Sequence, residues 1–263
     1  MDSFAVNLLF AFIVGGVWIT LVTVAAERFG SKIGGFIGGL PSTMVVAFLF
    51  IGLNQSPAVA AQATNGFLLS VAFSGLFLVS FALLADRGFG VAFVASLLLW
   101  ASLVSSLVVF GIENFALSAV GYVSILVASF VIFEKRLKLP SAGRLRMRYT
   151  HLQIAGRALL SGLIVALAVF MSKVGGPVFG GIFSPFPAVY MSTLFITNRT
   201  GGLAFARSVT KPLFFSGMLT GASYGLALRY FYVAYGLVLG TVLSYAVSMI
   251  VAYFVFLFIR GLE

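Results

Sequence analysis

Apolar stretches of about 20 residues follow one another along almost the entire chain, and short polar turns separate them. A helix of about 20 apolar residues crosses the ~30 Å hydrocarbon core of a bilayer. The pattern therefore predicts an all-α integral membrane protein, a polytopic bundle of 9–10 transmembrane helices. Ser56-Pro57 predicts one helix start, because serine caps helices and proline fits the first helical position. The predicted spans are residues 4–26, 33–53, 58–85, 91–112, 116–133, 153–172, 177–198, 203–228 and 234–259.

Two of these spans, the second and the seventh, are interrupted by glycine and proline in the same order. Glycine and proline weaken the helical hydrogen-bond ladder, and the freed backbone groups must be buried in protein or face a watery cavity. The sequence therefore predicts two discontinuous helices. The interrupting residues are Gly34, Gly35, Gly38, Gly39 and Pro41 in the first copy, and Gly175, Gly176, Pro177, Gly180, Gly181, Pro185 and Pro187 in the second.

The duplication extends beyond the breaks. Asn7–Thr43 and Leu152–Pro187 share one plan: an apolar helix, a lysine, paired glycines and a proline break. Five predicted spans precede the second copy, and an odd number inverts it. The sequence therefore predicts a single membrane domain of two inverted-topology repeats, residues 1–133 and 152–263, joined by a basic loop at 134–151. The second repeat is one span short, so either a span is lost or Tyr230–Leu239 makes a partial insertion.

The breaks predict a binding site for a solute. A helix that begins after Pro41 directs its first amides toward the break, and one that begins after Pro187 does the same. Helix N-termini carry a partial positive charge and bind anions. The alternative is close packing, since small residues four positions apart let membrane helices approach; the two interpretations are compatible. The predicted substrate-binding residues are Gly39, Pro41, Ser42, Thr43, Asn65, Ser184, Pro185, Pro187 and Lys211.

Charged residues inside the predicted spans are few. The spacing between the two breaks sets Asn65 against Lys211, about two turns into a predicted helix. A cation there is costly unless it is paired or faces water, which favours a functional role; the alternative is that Lys211 snorkels to the headgroups. The acids lie at predicted ends or in loops, so we expect no metal or other cofactor, and Na⁺ coupling through carbonyls and hydroxyls is left open. These acids are Asp2, Glu27, Asp86, Glu113, Glu134 and Glu263.

Composition and charge fix the class of protein. The 263 residues are 61% hydrophobic and 8% charged, which excludes a soluble globular domain. The chain has no cysteine, which excludes disulfides and thiolate metal sites. Its net charge of +10 comes from cations at span ends and in the 134–151 loop, which favours a topology signal over nucleic-acid binding. The positive-inside rule predicts a cytoplasmic loop, an outside N-terminus and a cytoplasmic C-terminus in the inner (plasma) membrane.

Two short segments carry a family resemblance. The run Glu27–Pro41 and the phrase Pro185–Val189 resemble a group of small, uncharacterised prokaryotic inner-membrane proteins, which implies no known substrate. The plan of about five plus five spans with broken helices is also similar to the bile-acid/sodium symporter and auxin-carrier architecture. The second resemblance implies an inverted-repeat carrier, but this chain lacks the in-membrane acids that such carriers often use.

These features favour a secondary transporter that moves a small solute, an organic anion, by alternating access around the two breaks. Ion or small-solute channel and accessory membrane subunit are the alternatives. An enzyme is not expected, because no acid–base pair, metal site or activated nucleophile is present. The expected partners are the solute and the lipid bilayer, and a homodimer is left open.

Overall fold

The computed structural model describes residues 3–28, 40–139 and 150–261, and every element in these ranges is helical. The glycines of the first break, from Gly34 to Gly39, therefore lie outside the described residues. The helices are α1 (Ser3–Arg28), α2 (Ser42–Asn54), α3 (Pro57–Gln62), α4 (Thr64–Leu84), α5 (Phe89–Val109), α6 (Phe115–Val131), α7 (His151–Val174), α8 (Pro177–Phe183), α9 (Ala188–Ser208) and α10 (Thr210–Gly261). A 3₁₀ turn (Ala85–Arg87) precedes α5, and a π turn (Ile132–Leu137) extends α6.

Local chemistry explains several helix starts. The Ser56 hydroxyl accepts a hydrogen bond from the Val59 amide at 3.1 Å, and Pro57 is the first residue of α3, which confirms the predicted cap. Asn114 caps α6 in the same way through the Leu117 amide. Thr150 and Gln153 form a reciprocal capping box at the start of α7. These caps satisfy amides that the first turn of a helix leaves without partners.

Seven segments of the described chain are long and apolar enough to cross a membrane, in agreement with the predicted class of protein. One of them, Thr210–Leu257, has 48 residues, about twice the length that one crossing needs. Its backbone bends at Gly236, where φ is 74°, a conformation that glycine adopts without strain. The predicted spans 203–228 and 234–259 therefore belong to one bent helical segment, and the bend lies within Tyr230–Leu239.

Helices α1 and α7 pack directly against each other through glycine. A Cβ added at Gly16 would lie 3.0 Å from the Ala158 carbonyl oxygen, and one added at Gly162 would lie 2.5 Å from the Phe12 carbonyl oxygen. The two helices run antiparallel, since the contact moves backward along α7 as it moves forward along α1. The two contacts are also equivalent. Pro41 and Pro187 are 146 positions apart, and the same spacing separates the two glycines, Gly16 and Gly162, and the two residues that they meet, Phe12 and Ala158.

Helix α4 and the first half of α10 form a second antiparallel pair. Gly75 lies against Met218, and Gly225 lies against Phe67, so rising numbers on α4 meet falling numbers on α10. Phe67 and Met218 are fully buried in the core that these helices share. This pair crosses the middle of the bundle and supports one wall of the cavity described next.

Candidate functional site

The two predicted break segments meet at one small cavity. The space open to the centre of a water molecule is about 40 Å³, which is room for about three waters. Its walls come from the start of α2, from α4, from the 185–187 segment and the start of α9, and from α10. The lining residues are Leu40, Pro41, Ser42, Thr43, Met44, Val71, Ser74, Pro185, Phe186, Pro187, Val189, Tyr190, Leu213, Gly217 and Thr220.

The starts of α2 and α9 have the same local geometry. Pro41 and Pro187 precede the two helices with φ and ψ of −77° and 52°, and of −75° and 34°. The next amide in each case bonds back across the proline, from Ser42 to Leu40 and from Ala188 to Phe186, at 2.8 Å. The carbonyl of each proline then accepts the first helical bond, at 3.0 and 2.8 Å. Proline therefore sets both helix starts.

The first turns of α2 and α9 leave several backbone amides without a backbone acceptor among the described residues. The amides of Met44, Val189 and Tyr190 donate to no backbone carbonyl within the described ranges. Unpaired first-turn amides are normal for a helix, but here those of two helices, α2 and the part of α9 before the bend at Gly202, lie at one cavity. Their partial positive charges add where the two helix starts converge.

Hydroxyl groups supply the other polar atoms of the cavity. Thr43 is only 7% exposed, and its hydroxyl makes no hydrogen bond in the part of the chain that the structure describes. The Tyr190 hydroxyl, across the cavity, also makes none there. Among the described residues no charged side chain lines the cavity. The arrangement therefore offers hydrogen-bond donors and no fixed opposing charge.

The lining residues of the two halves also match in position. Each pair is separated by the same 146 positions that separate Pro41 from Pro187. A buried polar contact outside the cavity repeats at this spacing as well, since Thr64 bonds to the Ala61 carbonyl at 2.6 Å and Thr210 to the Arg207 carbonyl at 2.7 Å. The matched lining pairs are Leu40 and Phe186, Pro41 and Pro187, Thr43 and Val189, Met44 and Tyr190, Val71 and Gly217, and Ser74 and Thr220.

The predicted site residues divide between the cavity and its surroundings. The cavity is lined by Pro41, Ser42, Thr43, Pro185 and Pro187. Gly39 lies outside the described residues. Ser184 is fully buried behind the cavity and donates to the Gly181 carbonyl at 3.0 Å.

The two polar residues predicted further along the chain lie outside the cavity lining. Asn65 accepts a hydrogen bond from Arg229 at 2.7 Å. Lys211 forms an ion pair with Glu134, with Nζ and Oε1 2.7 Å apart. The lysine charge is thus compensated by an acid that the sequence places 77 positions earlier, at the end of a different predicted span.

Val71, Ser74, Tyr190, Gly217 and Thr220 line the cavity and were not predicted from the sequence. The signal that could have found two of them is the repeat itself, because Ser74 and Thr220 are hydroxyl residues at matched positions of the two halves. Tyr190 and Gly217 carry no such signal, since their partners are Met44 and Val71.

Ser74 holds the second break segment in place, and its removal should destabilise the protein. Its hydroxyl donates to the Pro185 carbonyl at 2.5 Å and accepts from Trp100 Nε1 at 3.1 Å. We expect Ser74→Ala to lower the free energy of unfolding by about 2 kcal/mol or more, because two buried polar groups lose their partner. Ser102→Ala is the control, since that exposed hydroxyl bonds only within its own helix. Equal thermal stabilities of the two variants in detergent would contradict this role for Ser74.

Comparison with known proteins adds one family match. Residues 8–115, which run from α1 to the start of α6, match the model of a family described as a protein of unknown function (DUF3147). The chain matches no curated protein and no solved structure, and so nothing links it to the bile-acid/sodium symporters. The matched range contains the first break and the α4 side of the cavity, but not the second break.

Proposed function

We propose that the protein is a secondary transporter that moves a small organic anion by alternating access around the two breaks. The observation that carries the proposal is the convergence of two helix N-termini, those of α2 and α9, on one cavity. Free amides and the Thr43 and Tyr190 hydroxyls favour an anion, and the positive ends of both helices disfavour a cation. The small volume favours a carboxylate of about three or four heavy atoms.

Matches between the two halves of the chain support an inverted repeat, and with it transport rather than binding alone. The reciprocal glycine contacts of α1 and α7 are the pattern expected when a two-fold axis passes between two equivalent helices. Because these helices are antiparallel, such an axis lies across them, in the plane of a membrane that they span. The matched lining pairs support a cavity on that axis, where inverted-repeat carriers bind their solute. Either half can then open the cavity to one side.

Flux into proteoliposomes tests the proposal. Purified protein should give saturable uptake of formate or acetate, in competition with each other, and none of a matched organic cation. A conductance that does not saturate would instead indicate a channel. The absence of uptake for every small carboxylate and inorganic anion tested would contradict the proposal.

The Thr43 hydroxyl provides a test within the cavity. Thr43→Val preserves the shape of the side chain and gives this half the residue that the other half has at Val189. We expect the KM for the transported anion to rise roughly 2–10-fold, because one hydrogen bond to the solute is lost. Thr23→Val is the matched control, since Thr23 is buried in α1 outside the cavity lining. A KM unchanged in both variants would contradict solute contact at Thr43.

A further inference from the structure

Two arginine contacts lie at opposite ends of the crossing of α4 and α10. Arg207, at the end of α9, forms an ion pair with Asp86, with Nη1 and Oδ1 2.7 Å apart. Arg229, on α10, donates to Thr64 Oγ1 at 2.9 Å and to Asn65 Oδ1 at 2.7 Å. Each contact therefore connects the first predicted repeat to the second.

The two contacts are placed symmetrically about the cavity. Gly75 and Met218 meet at the middle of the crossing. On the α4 side, Thr64 and Asp86 are each 11 positions from Gly75, and on the other side Arg229 and Arg207 are each 11 positions from Met218. At 1.5 Å per residue, the 22 positions from Thr64 to Asp86 correspond to about 33 Å, about the thickness of the hydrocarbon core. Ser74, which lines the cavity, lies next to the central glycine.

The chemistry of the two contacts differs. The Arg207 contact is a full ion pair, but the Asp86 side chain is 76% exposed, so water competes with it. Lys211 and Glu134 form a second ion pair on the same side. Arg229 is half-buried, bonds to neutral oxygens and lies over the Phe115 ring, with Cζ 4.1 Å from the ring centroid. Hydrogen bonds from a charged donor in a shielded site are stronger than an exposed ion pair.

We propose that these contacts are the two gates of the transport cycle, the Arg207 gate on the side of Glu134 and the Arg229 gate on the opposite side. The inference rests on the proposed function. Opening the cavity to one side separates the two halves at that side, which breaks the gate there and leaves the other closed. Both contacts are formed in the structure, on either side of the cavity-lining Ser74 along the crossing.

Accessibility of a single cysteine tests the gates without a known substrate. The chain has no cysteine, so Val71→Cys places one thiol in the cavity against no background. A membrane-impermeant maleimide is applied to vesicles of either orientation. We expect Asp86→Asn or Arg207→Gln to raise labelling from the Arg207 side about fivefold, the equivalent of about 1 kcal/mol, without raising it from the other side. Asn65→Asp gives Arg229 a charged partner and should lower labelling from the Arg229 side about fivefold.

Matched variants separate gating from a general loss of structure. The exchanged pair Asp86→Arg with Arg207→Asp should restore the parent labelling rate, because the ion pair is rebuilt with opposite polarity. Arg199→Gln is the control, since that guanidinium contacts the ring of Phe195 on its own helix and neither gate. Labelling that rises equally from both sides, or that does not change in any gate variant, would contradict the assignment of these contacts as gates.

The outcome is separable from that of the transport proposal. Saturable flux combined with unchanged labelling in the gate variants would contradict the gates and still support the transport proposal. Side-specific changes in labelling without flux of any anion would support the two gates and contradict anion transport.

Discussion

Gly217→Ala is expected to reduce anion uptake about tenfold or more while the protein stays folded. A Cβ at this position would lie 1.8 Å from the Tyr190 hydroxyl and 2.8 Å from Cζ of the same ring. The ring must move, and the open space beside it is a cavity with room for about three waters. A displaced tyrosine side chain therefore occupies the volume that the solute needs. Initial rates of uptake into proteoliposomes, at equal amounts of reconstituted protein, measure the effect.

Gly221→Ala is the matched control, one turn further along α10. There the new Cβ would meet Met44 and Val71 at 3.4–3.5 Å, which is ordinary van der Waals contact, so uptake should stay near that of the parent protein. Tyr190→Phe in the Gly217→Ala background removes the atom nearest to the new methyl and should restore part of the rate. Normal uptake by Gly217→Ala alone would contradict passage of the solute through this cavity.

The sequence alone predicts the cavity residues that act through the backbone. Proline at positions 41 and 187 cannot donate a helical hydrogen bond, so a helix start beside each follows from local chemistry. The residues on α4 and α10 were missed because a polar or small residue within an apolar helix does not reveal which neighbour it faces. Ser74 is an example, since its role depends on Pro185, 111 positions away.

Long-range ion pairs are the second kind of feature that the sequence does not reveal. Lys211 was a candidate for the solute site because a cation within a span needs a partner or water. The structure gives it Glu134, and it gives Arg207 the carboxylate of Asp86. Both acids were placed correctly at helix ends. Nothing local to them indicates which cation of the other half comes alongside, since the pairing is set by the packing of helices that are far apart in the sequence.

The paired glycines of the breaks were open to two interpretations, a solute site or close packing. In the second break, the closely packed glycines and the cavity-lining prolines occupy different positions. Gly180 and Gly181 are buried against neighbouring helices, whereas Pro185 and Pro187 line the cavity. A Cβ at Gly181 would lie 1.8 Å from the Ala63 carbonyl oxygen and 2.7 Å from its carbon. The glycine thus sets how closely α8 approaches the junction of α3 and α4.

Gly181→Ala should therefore be the most destabilising small substitution in the second break. Its methyl group meets backbone atoms, which cannot rotate away as a side chain can, so α8 must move as a unit. We expect a loss of about 3 kcal/mol or more in the free energy of unfolding. That corresponds to a fall in the melting temperature of roughly 6–12 °C. Thermal unfolding of the purified protein in detergent measures it.

Gly156→Ala separates this packing effect from the helical preference of alanine. Gly156 is an exposed position of α7, and a Cβ there would meet nothing within 4 Å. Alanine favours a helix over glycine by about 1 kcal/mol, so the control should be neutral or slightly stabilised. Because the same preference acts at position 181, the fall in melting temperature understates the steric cost there. A Gly181→Ala protein as stable as the control would mean that α8 does not approach α3 and α4 this closely, and would contradict the packing of the second break against α4.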